Sequence, residues 1–280
     1  MKYIYSFLTV LAVLFSTSFA MAQTAVCDGL KDNPSTQAQS LLNEIHSYGC
    51  CTDTVANCLK NTETCKTPVF VANEICRLAG TGKANDAIKT VIENRAKVFD
   101  PNTKTVTIPL RPELVWGNSE SKVILSVYLC GRCPYCSRHV PKLIRTLENT
   151  TIKDKIAVNL RYFPIKSHDN STPAALAIEA AAQLGQAWPY LIKSYDNFDA
   201  FTLAKIPQWV EELGMDKQKH SELMKDSAVR ANVSMSKKEG LTNGVVTTPT
   251  FFLNGRKIEG GFDADSITSI LEEALENEPK

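Results

Sequence analysis

The chain is 280 residues long, 44% hydrophobic, and carries 31 Lys and Arg against 30 Asp and Glu. That balance excludes the basic footprint of a nucleic-acid or anionic-membrane binder. The length allows two domains, or one domain with an appendage.

Lys2 precedes an apolar run from Ile4 to Phe19, and Ala20-Met21-Ala22 supplies a small-x-small cleavage pattern. Residues 1–22 therefore read as a secretory signal peptide cut after Ala22. The run is short for a membrane span, and Val26 is a poor residue before a lipidated Cys27. The mature chain is then periplasmic or otherwise exported, with 30 basic and 30 acidic residues. All nine cysteines lie in this exported portion, where each needs a partner or a function.

Residues 23–97 read as a small all-α, Cys-rich domain. Ala38, Leu41, Leu42 and Ile45 mark one amphipathic face, and Thr67-Pro68 opens a second helix running to about Ala79. Ile88, Val91 and Ile92 mark a third helix over Asp86–Lys97. So thin a core invites covalent staples. Cys27, Cys50, Cys51, Cys58, Cys65 and Cys76 are candidate structural disulfides, with fifteen connectivities open. None of the six has zinc-like C-x2-C or C-x4-C spacing, and His46 is the only histidine nearby. A thiol relay between these cysteines and a catalytic pair is the alternative.

Residues 98–280 form the second predicted unit. Val123–Leu129 is an apolar run of strand length, as expected of a strand buried on both faces. Cys130-Gly131-Arg132-Cys133-Pro134-Tyr135-Cys136 follows, and then Val140, Leu143, Ile144 and Leu147 recur at helical spacing. Pro134 suits the first helical turn. Cys133 is placed at the helix N-terminus, where unpaired N–H groups and the positive end of the helix dipole favour a thiolate. Cys136, one turn on, is expected to be the more enclosed. An iron–sulfur run would need a fourth cysteine close behind, and Ser137-Arg138-His139-Val140 offers none.

Cys130 is a possible accessory thiol: a Cys130–Cys133 bond competes in principle with Cys133–Cys136. Its bland alternatives are a small buried side chain or a bridge to the N-terminal segment. His139 and His168 are read first as surface or capping residues, Lys238 and Glu239 as a solvated helix end. Trp188, Tyr190, Tyr195, Phe198 and Phe201 are read as core before substrate shelf.

Val245-Val246-Thr247-Thr248-Pro249-Thr250-Phe251-Phe252-Leu253-Asn254-Gly255 then places a proline before an aromatic strand and an Asn-Gly hairpin turn. CPYC followed by TTPTFFLNG resembles the thioredoxin superfamily, and within it the DsbA-like periplasmic oxidoreductases, over about Val106–Leu275. The resemblance takes in Ile156–Pro164 as a further strand and implies an α/β thioredoxin-like fold with a helical insertion over about residues 172–238. It also implies a cis bond before Pro249 and a loop facing the Cys133 sulfur.

By the same resemblance, Cys133 and Cys136 are the catalytic pair, and Pro134, Tyr135, Thr248 and Pro249 contact substrate, Thr248 through its backbone. No cofactor and no metal are implied. The implied partners are exported proteins with free thiols or disulfides, and a membrane partner that recycles the redox state. The implied direction is oxidising. Tyr135 and Thr248 stand where the best-known oxidase has histidine and valine, which keeps isomerase or reductase open. Cys76–Ile88 faintly resembles the helical domain of CcmH-like cytochrome c maturation factors, without their LRCPxC sequence. From a different class, the alternative is a metal carrier holding copper or zinc on Cys130, Cys133 and Cys136.

Overall fold

The computed structural model describes residues 25–260 and 263–278, so the predicted signal peptide lies outside the described residues. Five helices come first: α1 (Ala25–Asp28), α2 (Asp32–Glu44), α3 (Val55–Cys58), α4 (Thr67–Gly80) and α5 (Asn85–Phe99). Leu41, Val55, Val71, Ile75, Leu78 and Ile88 form an apolar cluster of their own among these helices. Disulfides Cys27–Cys76, Cys50–Cys65 and Cys51–Cys58 fasten α1, α3 and the intervening loops to α4 or to one another. With so few large side chains in that cluster, the crosslinks supply constraint that burial does not.

The remaining strands are β1 (Val115–Gly117), β2 (Ile124–Leu129), β3 (Ala157–Tyr162), β4 (Thr250–Leu253) and β5 (Arg256–Ile258). They form one sheet in the order β1-β3-β2-β4-β5, with only β2 and β3 parallel. Strand alternation sorts the two faces. Leu125, Val127 and Leu129, with Val158, Leu160 and Tyr162, enter the main core. Ser126 and Tyr128, opposite Asn159 and Arg161, look the other way. Asn254 (φ 45°) and Gly255 (φ 81°) turn the β4–β5 hairpin, and the Asn254 side chain accepts from the Ile124 N–H at 2.7 Å, tying that turn to β2.

α6 (Pro134–Glu148) links β2 to β3. α7 (Ser171–Ala182), α8 (Ala187–Asp196), α9 (Lys205–Glu212), α10 (Lys217–Leu223) and α11 (Ser227–Thr242) lie between β3 and β4, and α12 (Ala264–Glu276) closes the described chain. α6 packs against α8 and α12, and α11 against β3 and α7. At Gly240, a Cβ would sit 2.8 Å from the Phe163 ring and 3.0 Å from Tyr128, so α11 approaches the sheet at a distance only glycine permits.

The sequence reading of Glu239 as solvated is corrected here. Its carboxylate accepts from Arg161 Nε and Nη2 at 2.9 and 2.8 Å and from the Tyr128 hydroxyl at 2.6 Å, beneath α11. β1 was not anticipated: three residues give no readable alternation, and pairing with β3 alone makes the strand.

The N-terminal helices dock on α12 through charge. Arg95, on α5, bonds Glu273 at 2.8 Å, and both side chains are buried (2% and 0% exposed). The Tyr48 hydroxyl donates to the same carboxylate at 2.8 Å, and Arg95 Nη2 donates to the Ser269 carbonyl at 3.0 Å. Among the described residues, no helix is long and apolar enough to cross a membrane.

Candidate active site

β2 delivers the chain to Cys130, where a turn closes with the Cys133 N–H donating to the Cys130 carbonyl at 2.9 Å. Gly131 packs this turn on α7, since a Cβ there would meet the Ala174 Cβ at 2.9 Å. The Arg132 guanidinium lies over the Phe198 and Phe201 rings, 4.2 and 4.5 Å from their centroids, and donates to the Phe198 carbonyl at 2.7 Å. The Tyr195 hydroxyl donates to the Cys130 carbonyl at 3.1 Å. Cys133 is then the N-cap of α6 and Pro134 its first residue, which frees the first-turn N–H groups to face the sulfur.

The Thr248–Pro249 peptide is cis, and the Cys133 thiol donates to the Thr248 carbonyl at 3.2 Å. The Cys133 pKa falls to about 5: the Cys136 thiol stabilises the thiolate most, desolvation opposes it, and Thr248 and the N–H groups of Cys136 and Tyr135 add to the lowering. The Thr248 hydroxyl is buried without a partner of good hydrogen-bond geometry around the neutral thiol. Burial pushes Cys136 well above the ordinary thiol value, and its hydrogen bond to Cys133 pushes the same way. The pair is therefore split in acidity, with the proton on Cys136.

Cys136 is the more deeply buried of the pair, as expected, but Cys133 is itself only 1% exposed, so its reach is not simple exposure. Next to it, Tyr135 stands 59% exposed. A groove of about 550 Å3 begins there, lined by Tyr135, His139, Thr248, Pro249, Lys257 and Glu259 among others. A second, of about 590 Å3, runs along Pro134, Arg138, Asn197 and Phe198. The aromatic group thus divides: Trp188, Tyr190, Tyr195 and Phe201 are buried, while Phe198 lines a groove wall. His168, half-buried, has a contact beyond a surface or capping role, for its Nδ1 lies 3.4 Å from the Cys130 sulfur.

The N-terminal cysteines are all paired elsewhere, and Cys130, Cys133 and Cys136 are the free thiols among the described residues. Among those residues no three His, Cys, Asp or Glu side chains are placed to hold one metal ion. The clamp formed by Arg132 and the Tyr195 hydroxyl was not foreseen, because it joins residues more than sixty positions apart.

A sequence model of the thioredoxin family matches residues 110–273, more than half of the chain and including every strand. The chain belongs to the thioredoxin family. The matched region excludes the Cys-rich helices.

Curated relatives include the Na(+)/H(+) antiporter NhaA of Herminiimonas arsenicoxydans, 29% identical over 166 residues, which are 59% of this chain and 26% of that protein. NhaA 3 of Salinispora tropica is 26% identical over 171 residues, 60% of this chain and 26% of that protein. The chain spans about a quarter of the length of these relatives.

Among solved structures, oxidised BdbD from Bacillus subtilis superposes with a TM-score of 0.54 at 16% identity, covering 62% of this chain and 99% of that one. The thiol-disulfide exchange protein α-DsbA2 from Wolbachia pipientis gives 0.51 at 21% identity, covering 68% and 96%. The fold is therefore that of DsbA-like proteins: a thioredoxin-like sheet with a helical insertion, here preceded by disulfide-bonded helices.

Proposed function

We propose that this protein is an exported thiol-disulfide oxidoreductase, with Cys133 and Cys136 as its redox pair, acting in the oxidising direction on exported proteins. The observation that carries the reading is one sulfur, Cys133, whose pKa lies near 5 beside a partner thiol held far above the ordinary value. In the oxidised enzyme a substrate thiolate attacks the Cys133 sulfur, breaking the Cys133–Cys136 bond and releasing Cys136, which takes up a proton. A second substrate thiolate attacks the substrate sulfur of the mixed disulfide. The substrate leaves as a disulfide, and both electrons remain with Cys133 and Cys136 as thiolate and thiol.

Direction follows from the same electrostatics. Whatever stabilises the Cys133 thiolate stabilises the reduced enzyme, and each 1.4 kcal/mol so gained makes the couple about 30 mV more oxidising. The cis loop supports substrate binding: an extended substrate segment laid along Thr248 in the groove beside Tyr135 would pair with the loop backbone as one strand pairs with another. Pro134, Tyr135, Thr248 and Pro249 are the contacts proposed. Export is supported by the leader-like residues 1–22 and by three disulfides, which persist in oxidising compartments. An oxidase also needs a partner that reoxidises it.

Equilibration of the purified protein with glutathione buffers tests direction. We expect a Cys133/Cys136 potential more oxidising than about −200 mV. A value near that of thioredoxin, about −270 mV, would reverse the assignment to reductase. Cys133→Ser is expected to abolish oxidative refolding of a reduced test substrate. Full retention of that activity would remove the proposed chemistry altogether.

A further inference from the structure

Cys133 has a thiol three residues away on each side, and only one of them is used above. We propose that Cys130 is a second resolving thiol for Cys133, with His168 as the base that takes its proton. This inference rests on the oxidoreductase reading.

The backbone provides the reach. A turn closed by an i to i+3 hydrogen bond, as from Cys133 N–H to the Cys130 carbonyl, brings its end Cα atoms within about 7 Å. Disulfides span about 4.4–6.8 Å between Cα atoms. The Cα atoms of Cys130 and Cys133 are therefore held close to disulfide range by the turn itself. Three contacts hold the turn: Gly131 against Ala174, Arg132 against Phe198 and Phe201, and the Tyr195 hydroxyl on the Cys130 carbonyl.

The chemistry needs a base. Cys130 is fully buried, and burial pushes its thiol above the ordinary value, so unaided it stays protonated. His168 Nδ1 stands 3.4 Å from the sulfur, in hydrogen-bond range for a thiol. Imidazole is the side chain suited to accept and return a proton near neutral pH. In a mixed disulfide between Cys133 and a substrate sulfur, His168 takes the Cys130 proton and the Cys130 thiolate attacks the Cys133 sulfur. The Cys133–substrate S–S bond breaks as the Cys130–Cys133 bond forms. The substrate sulfur leaves with the electron pair and receives the proton from the imidazolium. Cys130 and Cys133 are oxidised as a pair, the substrate sulfur is reduced, and no further reactant is required.

The test counts thiols. Reduced Cys136→Ser is mixed with oxidised glutathione. Attack by Cys133 releases one glutathione, and resolution by Cys130 releases a second, leaving an unmodified protein mass apart from the new bond. The expected result is two glutathiones per Cys136→Ser protein and one per Cys130→Ser/Cys136→Ser protein, which stays glutathionylated. In the Cys136→Ser background, His168→Asn should slow the second release on the order of 10^2-fold and leave the first unchanged. One glutathione per Cys136→Ser protein overturns the role of Cys130. No release from Cys136→Ser, or equal release from Cys133→Ser, overturns the oxidoreductase reading and this inference with it.

Should Cys136→Ser fail to fold, the wild-type protein answers. Trypsin cuts between Arg132 and Cys133 and after Arg138. In protein equilibrated with glutathione buffer, a Cys130–Cys133 bond therefore links peptides 123–132 and 133–138, whereas Cys133–Cys136 closes a loop within 133–138. Absence of the linked pair also overturns the proposal.

Discussion

At the residue scale, the site turns on where one proton resides. With a Cys133 pKa of about 5, iodoacetamide alkylation of the reduced protein should rise with pH around a midpoint near 5. An ordinary thiol would give about 8.5. Thr248→Val removes a hydroxyl that stabilises the thiolate and keeps the backbone carbonyl, so that midpoint should move up. An unmoved midpoint would assign the acidity to the Cys136 thiol and the helix N–H groups alone. Stability of the reduced form follows with a definite sign. Between about pH 5 and 9 the unfolded chain holds a proton on Cys133 that the folded protein lacks, so reduced-state stability rises with pH across that window. It is lost as pH falls through 5. Cys136, raised in the fold, acts oppositely above about pH 9, where the unfolded thiol ionises first. Oxidation removes both effects, so the difference between reduced and oxidised melting temperatures should grow from pH 5 to 9.

At the scale of elements, β2 was legible because a strand buried on both faces leaves a nearly unbroken apolar run, whereas β3, which carries Asn159 and Arg161, was legible only through the resemblance. α6 was legible because its face recurs at helical spacing after Pro134. The Asn254-Gly255 turn and Thr248-Pro249 were legible from turn chemistry and resemblance. What escaped was pairing at a distance. Glu239 has a surface residue's letter, and only the approach of α11 at Gly240 places it over Arg161 and Tyr128. His168 and Cys130 lie 38 positions apart and meet because the segment after β3 returns past the end of β2. The Glu239 contact has a measurable consequence. Glu239→Gln leaves Arg161, 6% exposed, without its counter-charge. Breaking a buried pair in this way should destabilise the protein by about 3 kcal/mol in denaturant unfolding. A change below about 0.5 kcal/mol would place the pair among surface bridges of little weight.

At the scale of the whole molecule, two apolar clusters meet across a seam that is charged as well as packed. The N-terminal helices have their own small core and three crosslinks. They reach the thioredoxin-like part through Arg95–Glu273, and through Arg77 bonded to Asp263 and to Glu74, which in turn accepts from Ser266. Such an ion pair gains little over a well-packed apolar seam, yet removing one partner strands the other charge out of water at a cost of about 3–5 kcal/mol. Arg95→Met leaves Glu273 in that position, 0% exposed, with the Tyr48 hydroxyl as its remaining donor at this seam. The disulfides hold the helices folded even when the seam is weakened, because they act within the N-terminal unit and cross no part of the seam. The expected outcome is therefore a thermal transition that separates into two, with Cys133 alkylation still half-maximal near pH 5, since the groups that lower that pKa are Cys136, Thr248 and Tyr135. A single unshifted transition would mean that apolar packing of α4 and α5 carries the docking. A shifted alkylation midpoint would mean that the N-terminal unit helps to set the acidity of the Cys133 sulfur.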